Sequence, residues 1–113
     1  DFVNSVCLLS TPYKPADLLR KLKELETELG RVKTFPNGPR VIDLDILFYD
    51  DQIIFDEQAL LFVPHPRLHQ REFVLKPLSY LLPDFVHPQL GKSIITLYRE
   101  LMRQKGQPSC KIL

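Results

Sequence analysis

The 113-residue chain has no tryptophan, only four glycines and only two cysteines. Each scarcity excludes something. The glycines are scattered, and none sits in a GxxxxGK[ST] or GxGxxG pattern, so P-loop and kinase-type phosphate cradles are excluded. Cys7 lies in an apolar alternating stretch and Cys110 in a polar tail, far apart and without metal-thiolate spacing. HExxH is missing too, which argues against zinc. This cysteine usage is that of a reducing compartment, with Cys7 expected as a free thiol in the core. No serine stands in a GxSxG elbow, so a covalent serine intermediate has no carrier. Charge of neither sign dominates: 15 Lys and Arg face 14 Asp and Glu, a formal +1. Binding of nucleic acid by bulk electrostatics is therefore not expected, and any anion site must be local. No apolar run approaches the roughly 18 residues that span a bilayer, and the opening DFVNSV has neither a basic leader nor an initiator Met. A soluble protein is expected, with something upstream removed.

A chain of this length fits one domain and can bury roughly two thirds of its unfolded surface. DFVNSVCLLST alternates, which predicts a strand with Phe2, Asn4, Val6 and Leu8 on one face. ADLLRKLKELETELG carries leucines 18, 19, 22, 25 and 29 as a helical stripe, with Pro15 in the first turn and Gly30 as a stop. RVKTFPNGPR is a cation-rich loop. VIDLDILFY reads as the next strand, and QIIF as its hairpin partner across an Asp50-Asp51 turn. FVPHPRLHQREF is irregular, VLKPLSYLL a short helix and SIITLYRELMRQK a final amphipathic one. The domain is expected over residues 1–103, with 104–113 as a flexible tail or linker.

NGPRVIDLDILFYDD, residues 37–51, raises the chemical question, because two aspartates interrupt an otherwise apolar strand. Strand alternation puts Asp43 and Asp45 on one face, roughly 6 to 7 Å apart, while Leu44 and Ile46 go to the other. Two like charges on such a strand repel and lose hydration, so a cation must lie nearby. Oxygen-only ligands suit Mg²⁺, which takes one or two protein carboxylates and completes its shell with water and phosphates. The other reading is an ion pair with an arginine or lysine of a neighbouring element. Arg31, Lys33 and Arg40 bracket the preceding loop, and His65, Arg67, His69 and Arg71 follow in VPHPRLHQREF. Cations beside metal-binding carboxylates are what phosphoryl transfer requires; solvated surface charge accounts for any one of them.

These residues match a known pattern. NGPRVIDLDIL closely resembles the signature of the 6-hydroxymethyl-7,8-dihydropterin pyrophosphokinase family, folate-pathway enzymes that move the terminal diphosphate of ATP onto a pterin hydroxymethyl group and release AMP. DFVN, ELGRVK, VPHP, REFVLKPL and LLPDFVHP follow in the family's order, so the resemblance covers roughly residues 1–100. It implies an α+β fold, a ferredoxin-like sandwich of antiparallel sheet and helices. Asp43 and Asp45 resemble the pair that binds two Mg²⁺ ions bridging ATP. Arg40 resembles the arginine on the transferred phosphates, Arg31 and Lys33 the loop cations closing over the nucleotide, and His65 and Arg71 further phosphate contacts. Arg40, His65 and Arg71 are therefore the expected catalytic residues. Phe2 and Phe73, ordinary core aromatics on bare sequence, would sandwich the pterin, with Asn4 reading its polar edge.

Two departures stand out. The family's frequent aromatic just before Gly-Pro-Arg is here Asn37, with Phe35 two residues earlier. The family's opening GSN-like strand and following helix have no counterpart, so the sandwich is expected to be incomplete at its N-terminus. The expected partners are ATP and the pterin, with no nucleic acid or membrane, and with a missing N-terminal segment or fused folate-pathway domains. The alternative is a non-catalytic nucleotide- or partner-binding fragment of a larger folate-pathway protein. The expected compartment is the cytoplasm, or the mitochondrion for a eukaryotic fused enzyme.

Overall fold

The computed structural model describes residues 5–32 and 43–106. Phe2, Asn4, Lys33 and Arg40 lie outside the described residues, as does the side chain of Arg31. Among the described residues three helices and a two-stranded antiparallel sheet make an α+β chain, arranged as two compact units. No helix among the described residues is long and apolar enough to cross a membrane.

One unit spans Ser10–His65. Its helix α1 covers Pro15–Val32. Pro15 opens the helix, where its missing N–H costs nothing; Gly30 does not stop it. The leucine stripe buries Leu18 and partly buries Leu19 and Leu22, which pack with Ile46, Leu61 and Val63. Leu25, further along the stripe, is exposed. The predicted turn at Asp50-Asp51 forms, with Asp50 at φ 51° and the Gln52 N–H donating to the Tyr49 carbonyl at 3.0 Å. The pairing differs from expectation, because strand β1, Ile54–Asp56, pairs with β2, Leu61–Val63, and not with the DLD segment. The register sets Phe55 opposite Phe62, and the Asp56 carboxylate accepts the Ala59 N–H at 3.1 Å to shape the intervening turn. By alternation Leu61 and Val63 of β2 both face the core, and Ile54 of β1 packs against it.

The second unit joins Asp1–Leu9 to Pro66–Leu113. The alternating start is no strand over residues 5–9, and Cys7, Leu8 and Leu9 are exposed where a core strand was expected. An isolated extended run cannot satisfy its own ladder, and no strand among the described residues pairs with it. A 3-10 turn at Leu68–Gln70 leads into α2, Glu72–Leu81, and α3 spans Ile94–Gly106. Leu68, Leu75, Leu78, Ile94, Leu97 and Leu101 form the core, and Lys105 pairs with Glu72 at 3.2 Å. Ser93 caps α3, its hydroxyl accepting the Thr96 N–H at 3.3 Å.

His87 locks the connection between α2 and α3. It is 2% exposed, and its Nδ1 accepts the N–H groups of Gln89 and Leu90, each at 3.1 Å. Gly91, at φ 68°, closes the turn by donating to the His87 carbonyl at 2.8 Å. An Nδ1 that accepts two hydrogen bonds carries no proton, so the ring is neutral. Burial and then the charge of His69 hold its pKa below the ordinary imidazole value, outweighing an opposing bond to its own backbone. A lowered folded-state pKa gives stability that is complete above the unfolded-state value, about 6.5, and declines as pH falls below it. We expect the stability of this unit to fall as pH drops below about 6.5, by up to about 1.4 kcal/mol per pH unit between the two pKa values, read as a falling thermal midpoint. His87→Asn keeps an acceptor for the turn but cannot titrate, and should flatten this part of the pH profile, measured by circular dichroism.

Candidate functional site

In an extended backbone, the N–H and C=O of one residue point to the same side and normally meet a neighbouring strand. At Leu44 they meet helix α1. The Leu44 N–H donates to Glu26 Oε2 at 2.9 Å, and Lys23 Nζ donates to the Leu44 carbonyl at 3.1 Å. Lys23 also donates to the same Glu26 oxygen at 3.1 Å, closing a loop of three hydrogen bonds around one residue. Lys23 and Glu26 lie three apart and so share a face of the helix. The segment is thus held without being a ladder strand over residues 43–49, contrary to the strand read from the sequence. Its alternation survives: Asp43 and Asp45 are exposed, and Ile46 between them and the turn is buried.

The clamp brings a cation to the two acids. Lys23 Nζ lies 3.6 Å from Asp43 Oδ1 and 3.9 Å from Asp45 Oδ1. The ion pair with a lysine of a neighbouring element, one of the two readings of DLD, is therefore present. It leaves the carboxylates accessible, with 71% and 42% of their side chains exposed. Contacts this long and wet are worth roughly 0 to 1 kcal/mol. Among the described residues no group of three or more His, Cys, Asp or Glu gathers to hold a metal. Two accessible oxygen donors that converge on one positive charge do fit an ion of the Mg²⁺ type, whose remaining positions are filled by water and phosphate.

Electrostatics keep the clamp charged. Burial works against ionisation of Glu26, but the Leu44 N–H and the hydrogen bond and charge of Lys23 outweigh it and hold the carboxyl below the ordinary range. Burial also pulls Lys23 down, and the Glu26 bond and charge, followed by Asp45 and Asp43, push it above the ordinary lysine value.

The VPHP segment is tied to the DLD segment by the His65 N–H, which donates to the Leu47 carbonyl at 2.9 Å. The main chain of His65 is thereby fixed beside the segment that carries Asp43 and Asp45. Arg71 and Phe73 belong to the other unit, at the start of α2. The Arg71 guanidinium sits 5.7 Å from the centroid of the Phe73 ring, a cation–π distance. Phe73 is 50% exposed, so it is not the core aromatic that bare sequence suggested. Lys23 and Glu26 escaped sequence reasoning for a clear reason. Lys21 and Glu24 have the same spacing on the same helix and pair at 3.7 Å without touching Leu44, so K-x-x-E spacing alone marks neither pair.

Removing the clamp's acceptor should be costly. We expect Glu26→Ala to destabilise the Ser10–His65 unit by about 1 to 3 kcal/mol, the cost of orphaning the Leu44 donor, and to speed amide exchange at Leu44. Glu26→Gln retains an oxygen acceptor and should lose less. The lowered Glu26 pKa makes the clamp's contribution complete above the ordinary carboxylate value and lost as pH falls through the depressed one; the raised Lys23 pKa sets the opposite limit at high pH. Denaturation at stepped pH, with exchange followed by NMR, checks both limits.

Comparison with known proteins places this geometry in a lineage. The sequence model of the family 7,8-dihydro-6-hydroxymethylpterin-pyrophosphokinase (HPPK) matches residues 1–83. The chain is 51% identical over 89 residues to "Folic acid synthesis protein FOL1" of Dictyostelium discoideum, covering 79% of this chain and 13% of that protein. It is 46% identical over 107 residues to "Folic acid synthesis protein fol1" of Pneumocystis carinii, 95% of this chain and 14% of that one. It is 41% identical over 101 residues to the 2-amino-4-hydroxy-6-hydroxymethyldihydropteridine pyrophosphokinase of Synechocystis sp., 89% of this chain. The chain spans about half the length of the Synechocystis relative, 51%, and a much smaller part of the two folic acid synthesis proteins. The DLD segment, the VPHP segment and the start of α2 all fall within the matched residues, and the chain belongs to the 7,8-dihydro-6-hydroxymethylpterin-pyrophosphokinase (HPPK) family.

Proposed function

We propose that this chain supplies the cation- and phosphate-binding residues for Mg²⁺-dependent transfer of diphosphate from ATP to 6-hydroxymethyl-7,8-dihydropterin, with release of AMP, in folate biosynthesis. The observation that carries this reading is the convergence of Asp43 and Asp45 on a single positive charge while both stay accessible. The family's name supplies the reaction class.

Asp43 and Asp45 would hold Mg²⁺, which when bound supplies neutralisation of the phosphate charge. The substrate hydroxyl oxygen bonds to the β-phosphorus of ATP and gives up its proton, which is released to solvent, while the bond from that phosphorus to the α–β bridging oxygen breaks and AMP leaves with the oxygen. The chain's own residues position and neutralise. Arg40, with His65 and Arg71, contacts the transferred phosphates; Arg31 and Lys33 close over the nucleotide. Phe2 and Phe73 stack on the pterin, and Asn4 hydrogen-bonds its edge. Half-exposure of the Phe73 ring supports a stacking role, since a core ring would have no free face. In the complete protein these residues would belong to a ferredoxin-like sandwich, its domain covering residues 1–103 here, and working in the cytoplasm or, in a fused enzyme, the mitochondrion.

A second reading has its own observation. The chain covers 13% and 14% of the two folic acid synthesis proteins, which suits one portion of a larger folate-pathway protein that holds nucleotide without turning it over.

The deciding measurement is AMP formation from Mg²⁺-ATP and the pterin by the 113-residue chain, beside the double variant Asp43→Asn, Asp45→Asn. We expect pterin-dependent AMP that falls by at least about 100-fold in the variant, with an unchanged circular dichroism spectrum. Retained activity in the variant would refute the metal assignment. AMP from neither, with a folded wild-type chain, favours the second reading.

A further inference from the structure

Lys23 is held unequally. Its ammonium group has two close anchors, Glu26 Oε2 and the Leu44 carbonyl, both at 3.1 Å. Its contacts with Asp43 and Asp45, at 3.6 and 3.9 Å, are looser and exposed. The anchors keep the positive charge beside the aspartates whether or not anything else binds there. The aspartates add charge attraction to the ammonium but are not its closest anchors.

We propose that Lys23 is a built-in counter-cation of the Asp43/Asp45 pair, so that a divalent cation loads there by exchange, the aspartates turning from the ammonium to the ion while Lys23 stays on Glu26 and Leu44. This rests on the reading of the two aspartates as cation ligands. One consequence concerns the empty state, in which the fixed positive charge offsets the repulsion between two carboxylates on one short segment. Another concerns the loaded state, in which the same charge sits close to the incoming ion and weakens its binding. Loading of the bare ion is therefore held down, and an ion that arrives with a polyphosphate is favoured. The phosphate oxygens bring the negative charge that Lys23 has cancelled, and the ammonium then faces anions on both sides. Lys23 is a positioning residue in this scheme: it makes cation binding conditional on a phosphate-bearing partner.

Mn²⁺ alone, titrated into the full chain and followed by electron paramagnetic resonance, tests this without any turnover. We expect Lys23→Met to bind Mn²⁺ about five- to tenfold more tightly than wild type at low ionic strength, as removal of one nearby charge near a protein surface predicts, and the gain to shrink as salt is raised. Lys23→Arg keeps the charge and should stay within about twofold of wild type, which separates charge from packing. Addition of a non-hydrolysable ATP analogue should tighten Mn²⁺ binding more in wild type than in Lys23→Met. Equal or weaker Mn²⁺ binding by a folded Lys23→Met chain overturns the role of Lys23 and leaves the aspartate reading intact. Mn²⁺ binding that survives Asp43→Asn with Asp45→Asn, or is absent from both wild type and Lys23→Met, overturns the aspartate reading and this inference with it. Thermal melts of each variant confirm that the chain is folded.

Discussion

A backbone residue removed from a sheet still has an N–H and a C=O to satisfy, and at Leu44 both are satisfied by one helix. That constraint organises the Ser10–His65 unit. Because Glu26 and Lys23 hold Leu44 at two points, the rotation of the segment about its own axis is fixed. Alternation then sends Ile46 into the core beside Leu18 and leaves Asp43 and Asp45 outside, facing the ammonium that helped fix them. The acids are exposed for the same reason that the isoleucine is buried. A slip of one residue would exchange the two faces, burying a carboxylate and exposing the isoleucine, at a cost of several kcal/mol for the charge alone.

The rest of that unit reinforces the same placement. Tyr49 donates its hydroxyl to the Tyr13 carbonyl at 2.5 Å, tying the far end of the segment to the turn before α1. The His65 N–H meets the Leu47 carbonyl, so the DLD segment is held on one side by helix side chains and on the other by the main chain that follows β2. Between these supports Leu61 and Val63 supply the apolar floor. Asp43 and Asp45 thus stand at the margin of a small core, flanking the backbone-fixed Leu44, with their side chains exposed. The α2–α3 unit has its own logic: Leu68, Leu75, Leu78, Ile94, Leu97 and Leu101 are its buried core, and the buried His87 imidazole accepts the Gln89 and Leu90 amides.

Local signals were legible wherever the physics was local. The leucine stripe marked α1, Pro15 marked its start, and the apolar spacing in VLKPLSYLL and SIITLYRELMRQK marked the two later helices. The Asp50-Asp51 turn was legible from its residue types. Partner choice was not. QIIF could as well pair backward as forward, and the strand it meets, with Leu61 and Val63 facing the core, lies further on. The alternating start needed a partner that no local rule supplies, which is why its apolar residues are exposed over residues 5–9. In the candidate site, strand periodicity correctly put Asp43 and Asp45 on one side, and the need for a nearby cation followed from charge repulsion. The identity of that cation did not follow, because Lys23 comes from a helix twenty residues earlier in the chain, and nothing in its spacing distinguishes it from Lys21.

A lysine beside the two acids does not by itself exclude a metal, because the geometry of the contact bears on what the lysine does there. A salt bridge that existed for stability would bring the charges to hydrogen-bonding distance and shield them from water; here the separations are 3.6 and 3.9 Å and the carboxylates are largely exposed. The closest contacts of Lys23 go instead to Glu26 and a main-chain carbonyl, which anchor it independently of the aspartates. An acid pair whose counter-charge is fixed by other groups keeps its own lone pairs available. On the proposed reading such a pair is neutralised when no ion is bound and open enough to accept one, and both properties come from the two hydrogen bonds that hold the ammonium elsewhere.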